Sequence, residues 1–259
     1  MTARLENRRA LVTGATSNIG RAIALAFAAE GAHVVVGGRD EQRGAAVVAE
    51  IRAAGGHADF AAAELDGSPA ASQALAAEAS RLLGGGIDIL VNNAGIFPGS
   101  TTASVDGDMF DRVYAVNVKA PFFLTAAIAP AMAERGGGAI INLGSWVARL
   151  GLPVGALYAS TKGAVETLTR AWSAEFGPAG VRVNAISPGV TRTPAPGEAD
   201  GAGAHPAEAM MHGTPSGRSV TAAAIAHAAV YLASDEAAFV HGTVIDVDGG
   251  RIGVAVIAA

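Results

Sequence analysis

The chain has 259 residues, 51% of them apolar and 16% charged, with a formal net charge of -5 and no cysteine. That length suits one α/β domain with a sizeable core, and the acidic balance argues against a nucleic-acid or anionic-membrane surface. Disulfides and thiol catalysis are excluded, and the lack of cysteine fits a reducing cytoplasm.

Met1–Arg9 (MTARLENRR) has no apolar core before a cleavage site, so it does not read as a signal peptide. The longest apolar stretches, such as Ala22–Ala29 and the tail after Arg251, are too short to span a bilayer, and a soluble protein is expected. Arg9–Thr13 reads as a short buried strand, followed by a glycine-containing turn, Gly14–Gly20, and a helix over Ile19–Glu30. Gly31 sits where that helix needs a left-handed residue to stop. His33–Val36 is a second strand; Asp40 caps a helix running to Ala54, and Gly55-Gly56 ends it. Ala58–Ala63 is expected as strand three, Pro69–Leu83 as a helix and Ile87–Val91 as strand four. A long helical region spans Met109–Arg135, then Ala139–Leu143 forms strand five. The next helix carries Tyr158 and an apolar stripe of Val165, Leu168, Trp172 and Phe176, before strands over Val181–Ile186 and Thr243–Val247. Short strands alternating with helices predict a doubly wound parallel sheet, helices on both faces, in a single domain. One irregular stretch, Pro194–Gly217, is long enough to be a substrate lid.

Chemistry concentrates at a few points. The turn Thr13–Gly20 (TGATSNIG) joins a strand to a helix, whose first-turn N–H groups and dipole suit a pyrophosphate. Asn18 stands where a middle glycine is usual, and asparagine tolerates a left-handed backbone. Tyr158 and Lys162 are four apart, hence on one helix face. A neighbouring ammonium favours the phenolate and would lower a tyrosine pKa from about 10 by roughly 1–3 units, towards a useful general acid/base. Ser145, at the end of strand five, offers a hydroxyl for the same substrate oxygen.

With Asn92-Asn-Ala-Gly95, Ser145, Tyr158-x-x-x-Lys162, Pro188-Gly189 and Val247-Asp-Gly-Gly250 in this order, and twelve residues between serine and tyrosine, the chain resembles the short-chain dehydrogenase/reductase family. The resemblance covers Arg8 to Gly250 and implies a Rossmann-like domain that binds a nicotinamide cofactor and assembles as a dimer or tetramer. By that resemblance Tyr158 is the acid/base. Lys162 lowers its pKa and bonds the nicotinamide ribose, Ser145 steadies the substrate oxygen, and Asn117 holds a water linking Lys162 to solvent. Gly14, Ser17, Asn18, Ile19 and Gly20 would cradle the phosphates. Asn93 and Gly95 would line the adenosine, and Asp66 would bond the adenine, or alternatively cap the helix after Pro69. Pro188 and Gly189 would turn the chain beneath the nicotinamide, with Thr191 and Thr193 near its carboxamide and phosphates.

Strand two ends Val36-Gly-Gly-Arg39, with no acid for a ribose 2′-hydroxyl, while Arg39 offers a guanidinium suited to a 2′-phosphate. NADP(H) is therefore expected over NAD(H), although Ser17 replaces the second basic residue usual in NADP-preferring members.

No paired spacing of the six histidines suggests a metal site. The G-x-S-x-G turn of a hydrolase is missing. Ile96, Phe97, Trp146, Leu152, Met210 and Met211 are candidates for an apolar substrate pocket, and the apolar tail Ile252–Ala259 for a subunit contact in a two-fold homotetramer. The expected function is NADP(H)-dependent interconversion of a small ketone or aldehyde and an alcohol. A 3-oxoacyl-thioester reductase, with Arg149, Arg192 and Arg218 near the mouth, is the alternative; a non-catalytic nicotinamide sensor or scaffold is a second.

Overall fold

Segments such as RALVT and HVVVGG are short, rich in β-branched residues and apolar on both faces, which suits strands covered from both sides. A computed structural model of the chain describes residues 3–153, 155–191 and 206–254. Among these, strands β1 (Arg9–Thr13), β2 (His33–Gly38), β3 (His57–Ala62), β4 (Ile89–Asn92), β5 (Gly138–Leu143), β6 (Val181–Pro188) and β7 (Val244–Val247) form one parallel sheet. Its order is β3-β2-β1-β4-β5-β6-β7. The single doubly wound domain expected from the sequence is the fold observed.

Helices α1 (Asn18–Ala29), α2 (Glu41–Ala53) and α3 (Pro69–Leu82) follow the first three strands; α4 (Gly107–Tyr114) and α5 (Ala120–Glu134) separate β4 from β5. The helix α6 (Ala156–Phe176) precedes β6, and α7 (Pro206–Ala209) and α8 (Ala222–Ala233) precede β7. Local signals hold: Asp40 accepts the Arg43 amide at 2.9 Å to cap α2, and Gly31 is left-handed at φ +88. By contrast, α8 has no counterpart in the sequence reading, because its run AAAIAHAAVYLA offers little polar contrast to mark a face.

Strands β1 to β6 feed two cores. Alternate residues Ala10 and Val12, Val34 and Val36 pack with Ile23 and Phe27 of α1 and Ile225 and Val230 of α8. Between them, Leu11, Val35, Leu90 and Ile140 face Leu124 and Ile128 of α5 and Trp172 of α6. Fully burying each such large side chain stabilises the fold by about 1.5–3 kcal/mol. A buried polar chain runs through the second layer: Asn92 Nδ2 donates to Asn142 Oδ1 at 2.9 Å, and Asn142 Nδ2 donates to Thr169 Oγ1 at 2.9 Å. It pins β4, β5 and α6 in one register, and α6 carries the reactive residues.

One expectation needs correction. The helical run Gly107–Glu134 is 28 residues long, and by length and composition it is apolar enough to cross a membrane. It includes a π-turn, Ala115–Lys119, between α4 and α5. Its bounds lie close to the long helical region expected over Met109–Arg135, and Asp108, Asp111, Arg112 and Lys119 interrupt its apolar run. In the fold α5 buries Leu124, Ile128 and Met132 in the second core.

Candidate active site

Strand β1 lies between β2 and β4, so the connections leaving β1 and β4 diverge and open a crevice at their carboxyl ends. There the turn after β1 is left-handed at Gly14 (φ +62) and at Asn18 (φ +47), so asparagine takes the glycine-like position expected of it. A Cβ at Gly20 would lie 2.3 Å from the Gly14 carbonyl oxygen, so hydrogen alone fits there. No side chain caps α1 at Ser17, and no acid sits in its first turn, which leaves the positive helix end towards the crevice. Asn93 fastens the turn from the β4 side: its Nδ2 donates to the Thr13 carbonyl at 2.8 Å and the Gly14 carbonyl at 3.1 Å. Thr13 Oγ1 accepts the Asn93 and Ala94 amides at 3.0 and 3.1 Å. Thr13 was not legible as a site residue, since a threonine inside a strand looks like ordinary β-sheet.

The crevice is a cleft of about 1040 Å³ whose lining includes Gly14, Ser17–Gly20, Arg39, Asp66, Asn93, Gly95 and Ile96. Arg43 and Lys119, cations not singled out from the sequence, are among its other lining residues. Arg39 is exposed, whereas Arg43 binds Asp40 through Nε at 2.7 Å. A Cβ at Gly38 would meet Thr16 Cγ2 at 2.6 Å, so the end of β2 resists an acidic side chain. Asp66 does not cap α3. Ser68 does, accepting the Ala71 amide at 3.1 Å, while Asp66 Oδ1 accepts the Ser68 amide at 2.8 Å and its carboxyl is held below the usual range.

Past Gly95 the site meets the π-turn. Asn117 is 1% exposed; its Oδ1 accepts the Ile96 amide at 2.8 Å and its Nδ2 donates to the Ile96 carbonyl and Thr161 Oγ1. A Cβ on Gly95 would lie 3.4 Å from Asn117 Oδ1 and 3.7 Å from Lys162 Nζ, so this glycine lets the two approach. π-Turns of this kind recur at functional sites.

The left-handed Gly155 (φ +79) starts α6, placing Tyr158 in its first turn and Lys162 one turn on. Ser145 stands after β5, buried, and its hydroxyl bonds the Tyr158 phenol, favouring the phenolate. Burial outweighs this and raises the phenol above its ordinary value. Burial and Ser145 are the two influences on the phenol in the structure. Lys162, 5% exposed, turns its Nζ onto the Leu143 carbonyl at 2.7 Å and stands 5.5 Å from the Tyr158 ring. Desolvation lowers its own pKa to about 8, with Glu166 opposing.

The apolar candidates divide. Phe97 is exposed and its ring lies 4.8 Å from that of Tyr158; Ile96 and Leu152 are half-buried, and Met210 is exposed. Trp146 and Met211 are interior. Arg251 covers the indole at 4.5 Å, and Met211 is fully buried against Gly249. Pro188 ends β6; Gly189 lies so close to Asp248 that a Cβ would meet its Cα at 2.6 Å, and Thr191 Oγ1 donates to the Gly189 carbonyl. Thr193, Arg192 and residues 194–205 of the expected lid fall outside the described residues, as do tail residues 255–259. Of the arginines expected at the mouth, Arg149 is instead tied to Asp246 and Glu166.

Comparison with known proteins agrees with this geometry. Residues 14–251 match a family model described as enoyl-(acyl carrier protein) reductase. The chain is 38% identical over 249 residues to D-threitol dehydrogenase of Mycolicibacterium smegmatis, covering 95% of this chain and 94% of that one. It is 34% identical over 250 residues to cyclopentanol dehydrogenase of Comamonas testosteroni, covering 95% and 98%. A gluconate 5-dehydrogenase from Burkholderia cenocepacia, solved with NADP and tartrate, superposes with a TM-score of 0.88 at 33% identity over 98% of each chain. On its fold, its turn chemistry and these relatives, the chain belongs to the short-chain dehydrogenase/reductase family, oxidoreductases that use a nicotinamide cofactor.

Proposed function

We propose that the protein is an NADP(H)-preferring alcohol dehydrogenase/carbonyl reductase of small secondary alcohols and their ketones, with Tyr158 as general acid/base. The observation that carries this reading is Ser145, Tyr158 and Lys162 together, at the sheet's carboxyl end beside the glycine-turn cleft. A glycine-walled turn at an uncapped helix end fits a dinucleotide. Ser17–Gly20 would hold its phosphates, Asn93 and Gly95 would border the adenosine, and Pro188, Gly189 and Thr191 the nicotinamide end. When bound, that cofactor supplies or accepts the hydride.

The protein's part is proton traffic and orientation. At neutral pH the raised Tyr158 is a phenol, ready to protonate a carbonyl oxygen held by the Ser145 hydroxyl. Alcohol oxidation requires the reverse transfer and is favoured as pH rises. Phe97, open beside the phenol, supports a substrate with an apolar body. Asn117, beside Lys162 across Gly95, is placed to take part in resupplying the proton. A cysteine-free chain suits the cytoplasm, and exposed Phe122, Phe239 and Val254 support self-association as a homotetramer.

The test is a panel of cyclic and linear secondary alcohols and their ketones, followed by nicotinamide absorbance with both cofactors. Turnover of at least one pair, faster with NADP(H), is expected; cofactor binding without turnover of any pair would sink the reading. Cofactor preference rests on Arg39 and on Gly38 in place of an acid. Arg39→Ala should weaken NADPH binding about 10- to 100-fold, the worth of one charge-assisted contact, and leave NADH nearly unchanged. Equal losses would show Arg39 to be a solvated side chain.

A further inference from the structure

Below the reactive lysine lies a charged group that the proposed reaction does not use. Glu166 is 5% exposed and stands four residues after Lys162 on α6, on the same helix face. Gly144, just before Ser145, makes room for it: a Cβ at 144 would lie 2.9 Å from Glu166 Oε1. Among the described residues that oxygen has no hydrogen-bond partner, while Oε2 faces Arg149 Nε at 3.6 Å. Arg149 in turn binds Asp246 of β7, at 3.0 Å through Nη1 and again through Nη2. A buried carboxylate with an unsatisfied oxygen is costly to keep, and packing a helix against a strand end does not demand one.

We propose that Glu166 is a positioning residue: its buried carboxylate holds the Lys162 ammonium charged and links the Ser145–Tyr158–Lys162 site to the Arg149–Asp246 pair. The charged and polar groups around it are consistent with that. Lys162 and Arg170 face it from α6, Arg149 and the Ser145 amide from the segment after β5, and Asp246 from β7. Burial raises the Glu166 carboxyl and Asp246 adds to the rise, while Arg149, Arg170 and the Ser145 amide favour the ion. For Lys162 the balance is reversed. Burial pulls its pKa down to about 8 and Glu166 pushes it up. Without the carboxylate, Lys162 would lose its proton nearer neutral pH and reach the reaction as a neutral amine.

The role in the reaction rests on the function proposed above, but the coupling can be read without it. The sequence has two lysines, Lys119 and Lys162, so lysine side-chain NMR of the cofactor-free protein resolves Lys162 by itself. In Glu166→Gln the Lys162 titration midpoint should fall from about 8 by about half a unit or more, with Lys119 unmoved. Glu166→Asp should restore most of it. Glu166→Met, apolar and of similar length, gives the same fall should the glutamine variant not fold. An unmoved Lys162 midpoint in the charge-free variants overturns the proposal. Where substrate turnover is measurable, the basic limb of the kcat/KM profile should move down with the NMR midpoint. A moved midpoint with an unmoved profile would keep the coupling and show that turnover does not depend on the Lys162 charge.

Discussion

Replacing Tyr158 with phenylalanine is expected to reduce turnover about 100- to 10,000-fold, the range that a positioned general acid/base contributes. Cofactor affinity and fold should be nearly unchanged. The substitution removes a single oxygen, and the ring stays packed against Phe97, 4.8 Å away. What is lost is the proton on the phenol, which Ser145 cannot replace, because an aliphatic hydroxyl is a far weaker acid than a phenol. Single-turnover rates by nicotinamide absorbance, with Kd from nucleotide fluorescence, separate the two effects. Retained turnover would remove Tyr158 from the chemistry; a parallel loss of affinity would make it a binding residue instead. The pH dependence carries the same sign. Because burial raises the phenol, it remains protonated throughout the neutral range, so carbonyl reduction should persist there while alcohol oxidation accelerates towards alkaline pH.

Gly20→Ala should have the second large effect, on both binding and stability. Its methyl would lie 2.3 Å from the Gly14 carbonyl oxygen, 2.4 Å from Asn93 Nδ2 and 2.9 Å from Ala15 Cα. Two of these three are backbone atoms that cannot swing away, so α1 must retreat or the turn must open. Either movement breaks the Asn93 bonds to the Thr13 and Gly14 carbonyls. A cost of about 1–3 kcal/mol in stability follows from overpacking, and nucleotide affinity should fall at least about 100-fold if the turn opens by an ångström or more. Gly163→Ala is the control. Gly163 lies in α6 with nothing within 4 Å of a built Cβ, and alanine there should stabilise by about 0.5–1 kcal/mol. Chemical denaturation and nucleotide titration of the pair distinguish crowding at the turn from a general intolerance of alanine; normal affinity in Gly20→Ala would remove the turn from the binding site.

Much of this was legible before any coordinates. Strand and helix positions follow from periods of two and 3.6 and from local punctuation such as Asp40 and Gly31, whose effects reach one turn at most. Asn18 in a left-handed conformation also follows from its own side chain and its neighbours. The sequence offers no such contrast in the alanine-rich α8, which has no counterpart in the reading, and nothing in it marks the π-turn that joins α4 to α5.

The sequence by itself determined which chemical groups are available and in what local geometry: a phenol and an amine four residues apart, a glycine turn at a helix start, a glycine where an acid is usual with an arginine after it. Only the tertiary structure decided which of those groups leave water. Lys162 turned onto the Leu143 carbonyl, Met211 sealed against Gly249 and Glu166 beside Arg149 all depend on segments far apart in the chain. Periodicity is a local property, whereas desolvation is set by whatever the whole fold stacks over a residue, and desolvation controls the charge on Lys162 and the proton on Tyr158.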